Sequence, residues 1–134
     1  MADSVATFLM FQGGHAEAAM NFYVSLFADG RVDRIERYGA GEAGKEGSVK
    51  RAAFTLAGQS FMCIDSPMAH GFGFTPAISI FVTCRDAAEL GVLYQKLSAG
   101  GSVMMPLDAY PFAEKFAWVA DRYGVSWQMS YGTR

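Results

Sequence analysis

The sequence has few of the residues that usually indicate a metal, redox or nucleophilic centre. Its 134 residues include only 2 Cys, 2 His and 4 Pro, and 18% of them are charged. Cys63 and Cys84 lie in apolar, strand-like segments and not in a Cys-x-x-Cys or other metal-ligand spacing. We therefore predict that both are buried thiols that behave as small hydrophobic side chains.

The chain also lacks a large excess of charge of either sign and any long apolar run. The formal net charge is −2 and the 11 Lys and Arg residues form no cluster, so the basic face that nucleic-acid backbones require is absent. No apolar run reaches the length that spans a bilayer, and the first residues lack the pattern of a signal peptide. We expect no nucleic-acid partner, no membrane partner and a cytoplasmic location.

What the sequence does contain is apolar side chains. Hydrophobic residues make up 51% of the chain, with 11 Phe and 8 Met. The length is that of one domain, which buries roughly two-thirds of the surface of its unfolded chain. A small chain with so much apolar surface is expected to cover part of it with a ligand or a partner.

The hydrophobic pattern predicts two repeats with the same order: a strand, a helix and three strands. Repeat one covers about residues 5–65 and repeat two about 77–131. Tyr23 and Tyr94, like Gly30 and Gly101, are 71 positions apart and occupy matching places. The pattern also predicts two helices, at His15–Ala28 and Asp86–Ala99. It predicts connecting loops at Gly39–Gly47, Ser66–Thr75 and Asp108–Glu114. This order is typical of an α+β protein with a curved mixed sheet around a central cup and helices on the outer face.

Several segments resemble a known family. The most specific runs from Trp118 to Met129 with the sequence WVADRYGVSWQM, and the others are Phe22-Tyr23, Leu97–Gly101 and Met105-Pro106-Leu107. They resemble the PhnB-like branch of the vicinal oxygen chelate superfamily, which includes glyoxalases, bleomycin-resistance proteins and extradiol dioxygenases. That branch is often labelled 3-demethylubiquinone-9 3-methyltransferase. The resemblance covers nearly the whole chain and implies one domain over residues 1–134.

The methyltransferase label makes a prediction that can be compared with the sequence. A protein that binds S-adenosylmethionine is expected to have a glycine-rich turn from a strand into a helix within a parallel sheet. The pattern predicts no such turn in this chain. The glycines of Gly39–Gly47 do not connect a strand to a helix, so we interpret this segment as a connector.

The resemblance also implies where a divalent metal would be held, by two positions in each repeat. In repeat one these positions fall on Phe8 and, in the fourth strand, on Met62, or on Cys63 if the alignment is shifted by one residue. In repeat two they fall on Ser79 and Gln128. Of these only Gln128 offers a plausible ligand, whereas a zinc site needs three or four nitrogen, sulfur or carboxylate donors. We therefore expect no metal and no cofactor.

Strand alternation predicts which side chains line the cup. In the last strand Ser126, Gln128 and Ser130 alternate with Trp127, Met129 and Tyr131, which predicts that the polar set faces the cup. The same reasoning, extended by the resemblance to the loop at the mouth and the adjoining hairpin, predicts a ligand-binding set: Phe8, Met10, Met62, Ser79, Phe81, Tyr110, Phe112, Trp118 and Gln128. An alternative interpretation is that Phe8, Met10, Met62 and Phe81 simply fill the cup as core.

Three further residues could carry chemistry. His15 stands at a helix start, where it is expected to be solvated or to cap the helix. His70 lies in the Ser66–Thr75 loop, which could cover the cup. Asp65 ends a strand and is interpreted either as a turn residue or as a general base. No catalytic residue can be identified from spacing.

Three functions remain open. The first is a small-molecule-binding protein of the superfamily that needs no metal, with its activity unassigned. The second is a metal-dependent glyoxalase- or dioxygenase-type enzyme. The third is a resistance-type protein that sequesters its ligand without catalysis. In each case the apolar composition and the resemblance imply a homodimer.

Overall fold

The computed structural model describes residues 1–133 and divides the chain into two compact units, Met1–Gly73 and Phe74–Arg134. Each unit has one helix and one four-stranded mixed sheet in the order βαβββ. The predicted α+β class and the two repeats are confirmed. Among the described residues, no helix is long and apolar enough to cross a membrane.

The first unit contains β1 (Thr7–Phe11), α1 (Ala16–Ser25), β2 (Arg31–Arg37), β3 (Val49–Leu56) and β4 (Gln59–Asp65). The strand order is β1-β4-β3-β2; β1 runs parallel to β4, and the other pairs are antiparallel. α1 packs on this sheet through a small stripe that is buried because its members recur at helical spacing: Ala16, Ala19, Met20 and Tyr23.

α1 ends three residues earlier than the pattern predicts. The amide of Leu26 donates to the carbonyl of Tyr23 at 3.0 Å, and such a bond tightens the last turn of a helix. Gly30 then passes close to the helix end, where an added Cβ would lie 2.1 Å from the carbonyl oxygen of Val24. Only glycine permits this close return of the chain.

The second unit contains β5 (Ile80–Thr83), α2 (Ala87–Ser98), β6 (Ser102–Tyr110), β7 (Ala113–Ala120) and β8 (Ser126–Thr133). The strand order is β5-β8-β7-β6, with β5 parallel to β8 and the remaining pairs antiparallel. Each unit therefore has the same topology.

A reciprocal cap starts α2. The carboxylate of Asp86 accepts the amide of Glu89 at 2.8 Å, and the carboxylate of Glu89 accepts the amide of Arg85 at 3.2 Å. This arrangement satisfies two amide groups at the helix start, and such caps are worth about 1 kcal/mol. The local sequence alone therefore specifies where α2 begins.

The predicted loop at Asp108–Glu114 is wrong, because β6 and β7 form one hairpin across it. Tyr110 pairs with Ala113, which leaves only Pro111 and Phe112 at the tip. The ladder has irregular register between Met105 and Tyr110, so residues do not alternate regularly there. These bulges explain why the pattern looks like a loop.

The two faces of each sheet differ in burial. In the second unit Ala117, Val119, Trp127 and Met129 are fully buried. Neighbours that alternate with them along the strands, such as Trp118 and Gln128, are only half-buried. Because α2 is the one helix of residues 74–133, the fully buried set faces it. We call the opposite side of each sheet its distal face. The predicted division of Trp127 and Met129 from Gln128 is confirmed.

Candidate functional site

The distal face of the second sheet has Gln128 near its centre. Phe81 pairs with Gln128 on β8, and Gln128 pairs with Trp118 on β7. Directly paired residues of neighbouring strands share one face and lie within side-chain reach. The sheet therefore brings three of the predicted ligand-binding residues into one row, with an amide between two aromatic side chains.

A polar network lies next to this row. The indole Nε1 of Trp118 donates to Ser126 Oγ at 2.9 Å, and Ser126 Oγ is 2.6 Å from Ser79 Oγ. The side-chain nitrogen of Gln128 donates to Ser79 Oγ at 3.3 Å. Ser126 was not in the predicted ligand-binding set, although its alternation with Trp127 predicted that it lies on the same face as Gln128.

Aromatic rings continue the distal face toward the β6–β7 hairpin. Phe116 is the hub of this cluster, 6.5 Å from Phe81, 4.9 Å from Phe112 and 5.8 Å from Tyr110 between ring centroids. Tyr110 and Phe112 stack on each other at 5.6 Å. The structure therefore groups Tyr110 and Phe112 with Phe81, as predicted from the sequence, and adds Phe116.

The first unit carries its own apolar distal face. Phe8 pairs with Met62 and Met10 pairs with Ile64, and both pairs lie on the side opposite the buried Leu9, Phe61 and Cys63. Phe8 and Phe81 are 52% and 57% exposed, so neither ring is packed as core, whereas Met10 and Met62 are half-buried. Such large exposed aromatic side chains are consistent with a surface that another molecule covers.

The sheet register changes one detail of the repeat alignment. Phe61 and Trp127 occupy matching positions, and their partners on the first strands are Thr7 and Ile80. Phe8 therefore matches Phe81, rather than Ser79 as the sequence spacing predicts. Ser79 and Phe81 both lie on the distal face of the second sheet, so the predicted orientation of Ser79 is unchanged.

The donor chemistry at these positions does not fit a divalent metal. Phe8 and Met62 are register partners in the first sheet, and they offer a phenyl ring and a thioether. In the second sheet Ser79 and Gln128 are already hydrogen-bonded to each other. Among residues 1–133, no group of three or more His, Cys, Asp or Glu side chains could hold a metal ion. The neutral oxygen donors at these positions are too few to bind a divalent metal of the kind that imidazole and carboxylate ligands hold.

Asp65 is a structural carboxylate of the first unit and does not line the distal face. It is 4% exposed; one oxygen accepts the amide of Ala16 at 2.9 Å and the other accepts the amide of Val49 at 2.8 Å. The hydroxyl of Tyr38 donates to its backbone carbonyl at 3.1 Å. Both carboxylate oxygens already accept backbone amides, which favours the structural interpretation over that of a general base.

One glycine-containing turn leads from a strand into a helix, but it does not lie in the parallel sheet that the methyltransferase label predicts. Gly13 and Gly14 connect β1 to α1, and β1 is parallel to β4. A cleft of about 600 Å³ opens here, with Lys45, Glu46 and Ser66 in its wall. The helix amide that a bound anion would use is taken by Asp65, and the sheet is mostly antiparallel. The turn therefore lacks the features of a cofactor-binding parallel sheet.

The two histidines lie at the start of α1 and in the loop that follows β4. His15 is the residue that precedes α1, but its side chain makes no capping bond. His70 has Nε2 2.9 Å from Ser66 Oγ, and its amide donates to Gln12 Oε1 at 2.7 Å. The Gln12 amide nitrogen also donates to the carbonyl of Phe72, so this loop is held against the end of β1.

Both thiols are expected to be unreactive in the folded protein. Burial raises the pKa of Cys63 from 9.0 to about 12, and burial, followed by Glu89 and Asp86, raises that of Cys84 to about 12. Since the thiolate is the reactive form, a disulfide reagent at pH 8 should titrate neither thiol before unfolding and both in denaturant. A raised pKa stabilises the fold fully below pH 9, and this contribution should be lost as the pH rises toward about 12. Rapid titration of either thiol in the native protein would contradict this.

Comparisons with known proteins agree with this fold. A family model described as 3-demethylubiquinone-9 3-methyltransferase matches residues 3–130. A PhnB protein from Bacillus cereus, given the same methyltransferase description, is 51% identical with a TM-score of 0.94, covering 97% of this chain and 100% of that one. No curated protein matches the sequence.

Two more distant structures show the fold alone. A glyoxylase/bleomycin resistance protein/dioxygenase domain from Frankia is 14% identical with a TM-score of 0.67, covering 100% of this chain and 94% of that one. The fosfomycin resistance protein FosX from Listeria monocytogenes, solved with Mn(II) and 1S,2S-dihydroxypropylphosphonic acid, is 11% identical with a TM-score of 0.64. It covers 99% of this chain and 93% of that one.

The two βαβββ repeats and these similarities give the chain the fold of the glyoxylase/bleomycin resistance protein/dioxygenase domain, as the resemblance to the vicinal oxygen chelate superfamily implies. The chain belongs to the family whose model is described as 3-demethylubiquinone-9 3-methyltransferase, and its 51% identical relative from Bacillus cereus is a PhnB protein of that description. Membership assigns the fold and the family, and it leaves the reaction of this chain to be argued from its own residues.

Proposed function

We propose that the protein binds a small, partly aromatic molecule on the distal face of the second sheet, without a divalent metal. The observation that carries this proposal is Phe81, which is 57% exposed beside the hydrogen-bonded Ser79 and Gln128. Small-molecule sites combine apolar and aromatic side chains with a few placed polar groups, and this face has both kinds. Tyr110 and Phe112 extend the same apolar surface.

The chemistry of this face supports binding more than acid–base catalysis. The network consists of two hydroxyls, an amide and an indole, all of which are neutral near pH 7. A sequestering protein would need no more than this, whereas an enzyme of this kind would also need an acid or base within reach of the ligand. Conversion of a bound ligand would identify an enzyme, and unchanged release would identify a sequestering protein.

Binding is tested with a panel of aromatic compounds and the pair Phe81→Ala and Val92→Ala. Val92 is a matched control because it is similarly exposed but lies on α2. We expect at least one compound to raise the melting temperature, and Phe81→Ala to weaken its binding by about fivefold or more, since an aromatic contact contributes about 1 kcal/mol beyond its area. Val92→Ala should leave affinity unchanged. If no compound alters melting or tryptophan fluorescence, this distal face is not a binding site.

Metal independence has its own test. Elemental analysis of protein purified without chelator, followed by titration with zinc, nickel and manganese, should find no tightly bound ion, because the matched positions lack imidazole and carboxylate donors. A near-stoichiometric ion that disappears in Gln128→Ala would contradict this proposal. That result would favour the metal-dependent alternative, the type of site that FosX has with Mn(II).

We also propose that the chain forms a homodimer and acts in the cytoplasm. The support for a dimer is the exposed apolar surface, which includes Val32 on edge strand β2 and Val103 on edge strand β6. Light scattering over a wide concentration range should give twice the chain mass of 14.5 kDa. A monomer that persists at high concentration would contradict a dimer.

A further inference from the structure

The direction of the hydrogen bonds in the Ser79–Ser126 pair follows from burial. Ser126 is 2% exposed, and its Oγ already accepts the indole N–H of Trp118. If Ser79 donated to Ser126, the Ser126 hydroxyl hydrogen would be buried with no acceptor, which costs about 1–3 kcal/mol. Ser126 therefore donates to Ser79, and the Ser79 oxygen accepts from Ser126 and from the Gln128 amide.

This assignment leaves the Ser79 hydroxyl hydrogen directed outward. Ser79 is only half-buried, so its hydroxyl can donate to a molecule on the distal face. The chain of donors from Trp118 through Ser126 to Ser79 polarises each successive hydroxyl, which strengthens the last one as a donor. The second unit thus presents one oriented O–H group beside Phe81.

Gln128 supplies the complementary group. One N–H of its side-chain amide donates to Ser79, and among the described side chains and backbone groups its Oε1 has no hydrogen-bond partner. No fully buried side-chain oxygen or nitrogen lacks a partner among those residues, so this half-buried oxygen is open to solvent. A donor at Ser79 and an acceptor at Gln128 therefore stand side by side.

We propose that the ligand is a neutral aromatic compound with an adjacent hydrogen-bond acceptor and donor, as in a primary aromatic amide. This inference rests on the proposed binding function and specifies its ligand class. The ligand carbonyl accepts from Ser79, its N–H donates to Gln128 Oε1, and its ring lies against the exposed Phe81. A carboxylate would present a second acceptor to the Gln128 oxygen, and an ammonium would present a donor to the Ser79 hydroxyl. In either case two acceptors or two donors face each other. The charged group of the ligand also loses its hydration without gaining a counter-charge.

The test uses four probes of nearly the same shape: benzamide, benzoate, benzylammonium and ethylbenzene. Two-dimensional ¹H–¹⁵N spectra report on both tryptophan indoles of the second unit. Trp118 Nε1 belongs to the network, whereas Trp127 Nε1 donates to the buried Asp121 at 2.9 Å on the opposite face and serves as an internal control. Benzamide should shift the Trp118 signal and leave the Trp127 signal in place, with a dissociation constant about tenfold lower than those of the other three probes.

Two variants locate the effect. Gln128→Met keeps the length of the side chain and removes the acceptor, so the preference for benzamide over ethylbenzene should fall from about tenfold to about threefold or less. The same substitution at the exposed Gln95 on α2 is the control and should preserve the preference. An unchanged Trp127 signal in Gln128→Met shows that the fold is intact.

The outcomes separate this inference from the function on which it rests. If all four probes bind at the Trp118 face with similar constants, the ligand class is wrong and the binding function stands. Tighter binding of benzoate or benzylammonium overturns the ligand class in the same way. If none of the four probes shifts the Trp118 signal up to its solubility limit, the binding function of this face fails as well.

Discussion

Replacement of Asp65 by Ala is expected to lower the free energy of unfolding by about 3–5 kcal/mol, because two buried amides lose a charged acceptor at about 1.5–3 kcal/mol each. Those amides belong to Ala16 at the start of α1 and Val49 at the start of β3. The same residue accepts the Tyr38 hydroxyl on its carbonyl. One side chain thus joins a helix start and a strand start of the first unit.

Asp65→Asn tests whether the stability depends on two carboxylate acceptors rather than on the shape of the side chain. The amide keeps the shape of the carboxylate, but its NH₂ group faces an N–H donor and cannot accept it. We expect Asn to lose about 1–3 kcal/mol, while Asp3→Ala, at an exposed site near the N-terminus, changes stability by less than about 0.5 kcal/mol. Urea unfolding followed by circular dichroism measures all three. A fully stable Asp65→Asn protein would show that the bonds to Ala16 and Val49 contribute little.

The second large effect is expected at Gly101. A Cβ at this position would lie 2.0 Å from the carbonyl oxygen of Ala120, and that backbone cannot move without disturbing the pairing of Ser102 with Ala120. Gly101→Ala should therefore destabilise the protein by about 2–4 kcal/mol, at or above the upper end of ordinary overpacking.

Gly91 provides the matched control for this substitution. It lies inside α2, and nothing stands within 4 Å of an added Cβ. Gly91→Ala should stabilise the protein by about 0.5–1 kcal/mol, because Ala loses less backbone entropy than Gly in a helix. The same change thus has opposite signs at two glycines ten positions apart. If both variants melt at the same temperature as the parent, the close approach at Gly101 is relieved elsewhere.

Much of the candidate site could be predicted from strand alternation. The period of two in Ser126–Tyr131 places Gln128 and Trp127 on opposite faces, and the structure has them there. The repeat pattern likewise predicts the α+β class. What alternation cannot predict is pairing between distant strands, so the contact of Ser79 with Ser126 and the match of Phe8 with Phe81 had to come from the register.

The Asp108–Glu114 segment shows why local patterns fail. Its residues do not alternate because β6 is bulged, and a bulge shifts side chains from one face to the other. The pairing of Tyr110 with Ala113 depends on the neighbouring strand, which no short window of sequence contains. The hairpin also carries Phe112 to its tip, where the ring packs on Phe116.

The sequence by itself determined the repeated order of strands and helices, the cap at Asp86 and the side of β8 on which Gln128 lies, because each of these depends on neighbours within a few residues. Only the tertiary structure decided the role of the buried Asp65. The buried Asp121 is the contrast, because it accepts the amides of Tyr123 and Val125 and the indole of Trp127, which all follow it closely in the chain. The partners of Asp65 are 49 and 16 residues away in the chain. The buried charge of Asp65 is stabilised by groups that folding brings to it, and those groups cannot be read from its own segment.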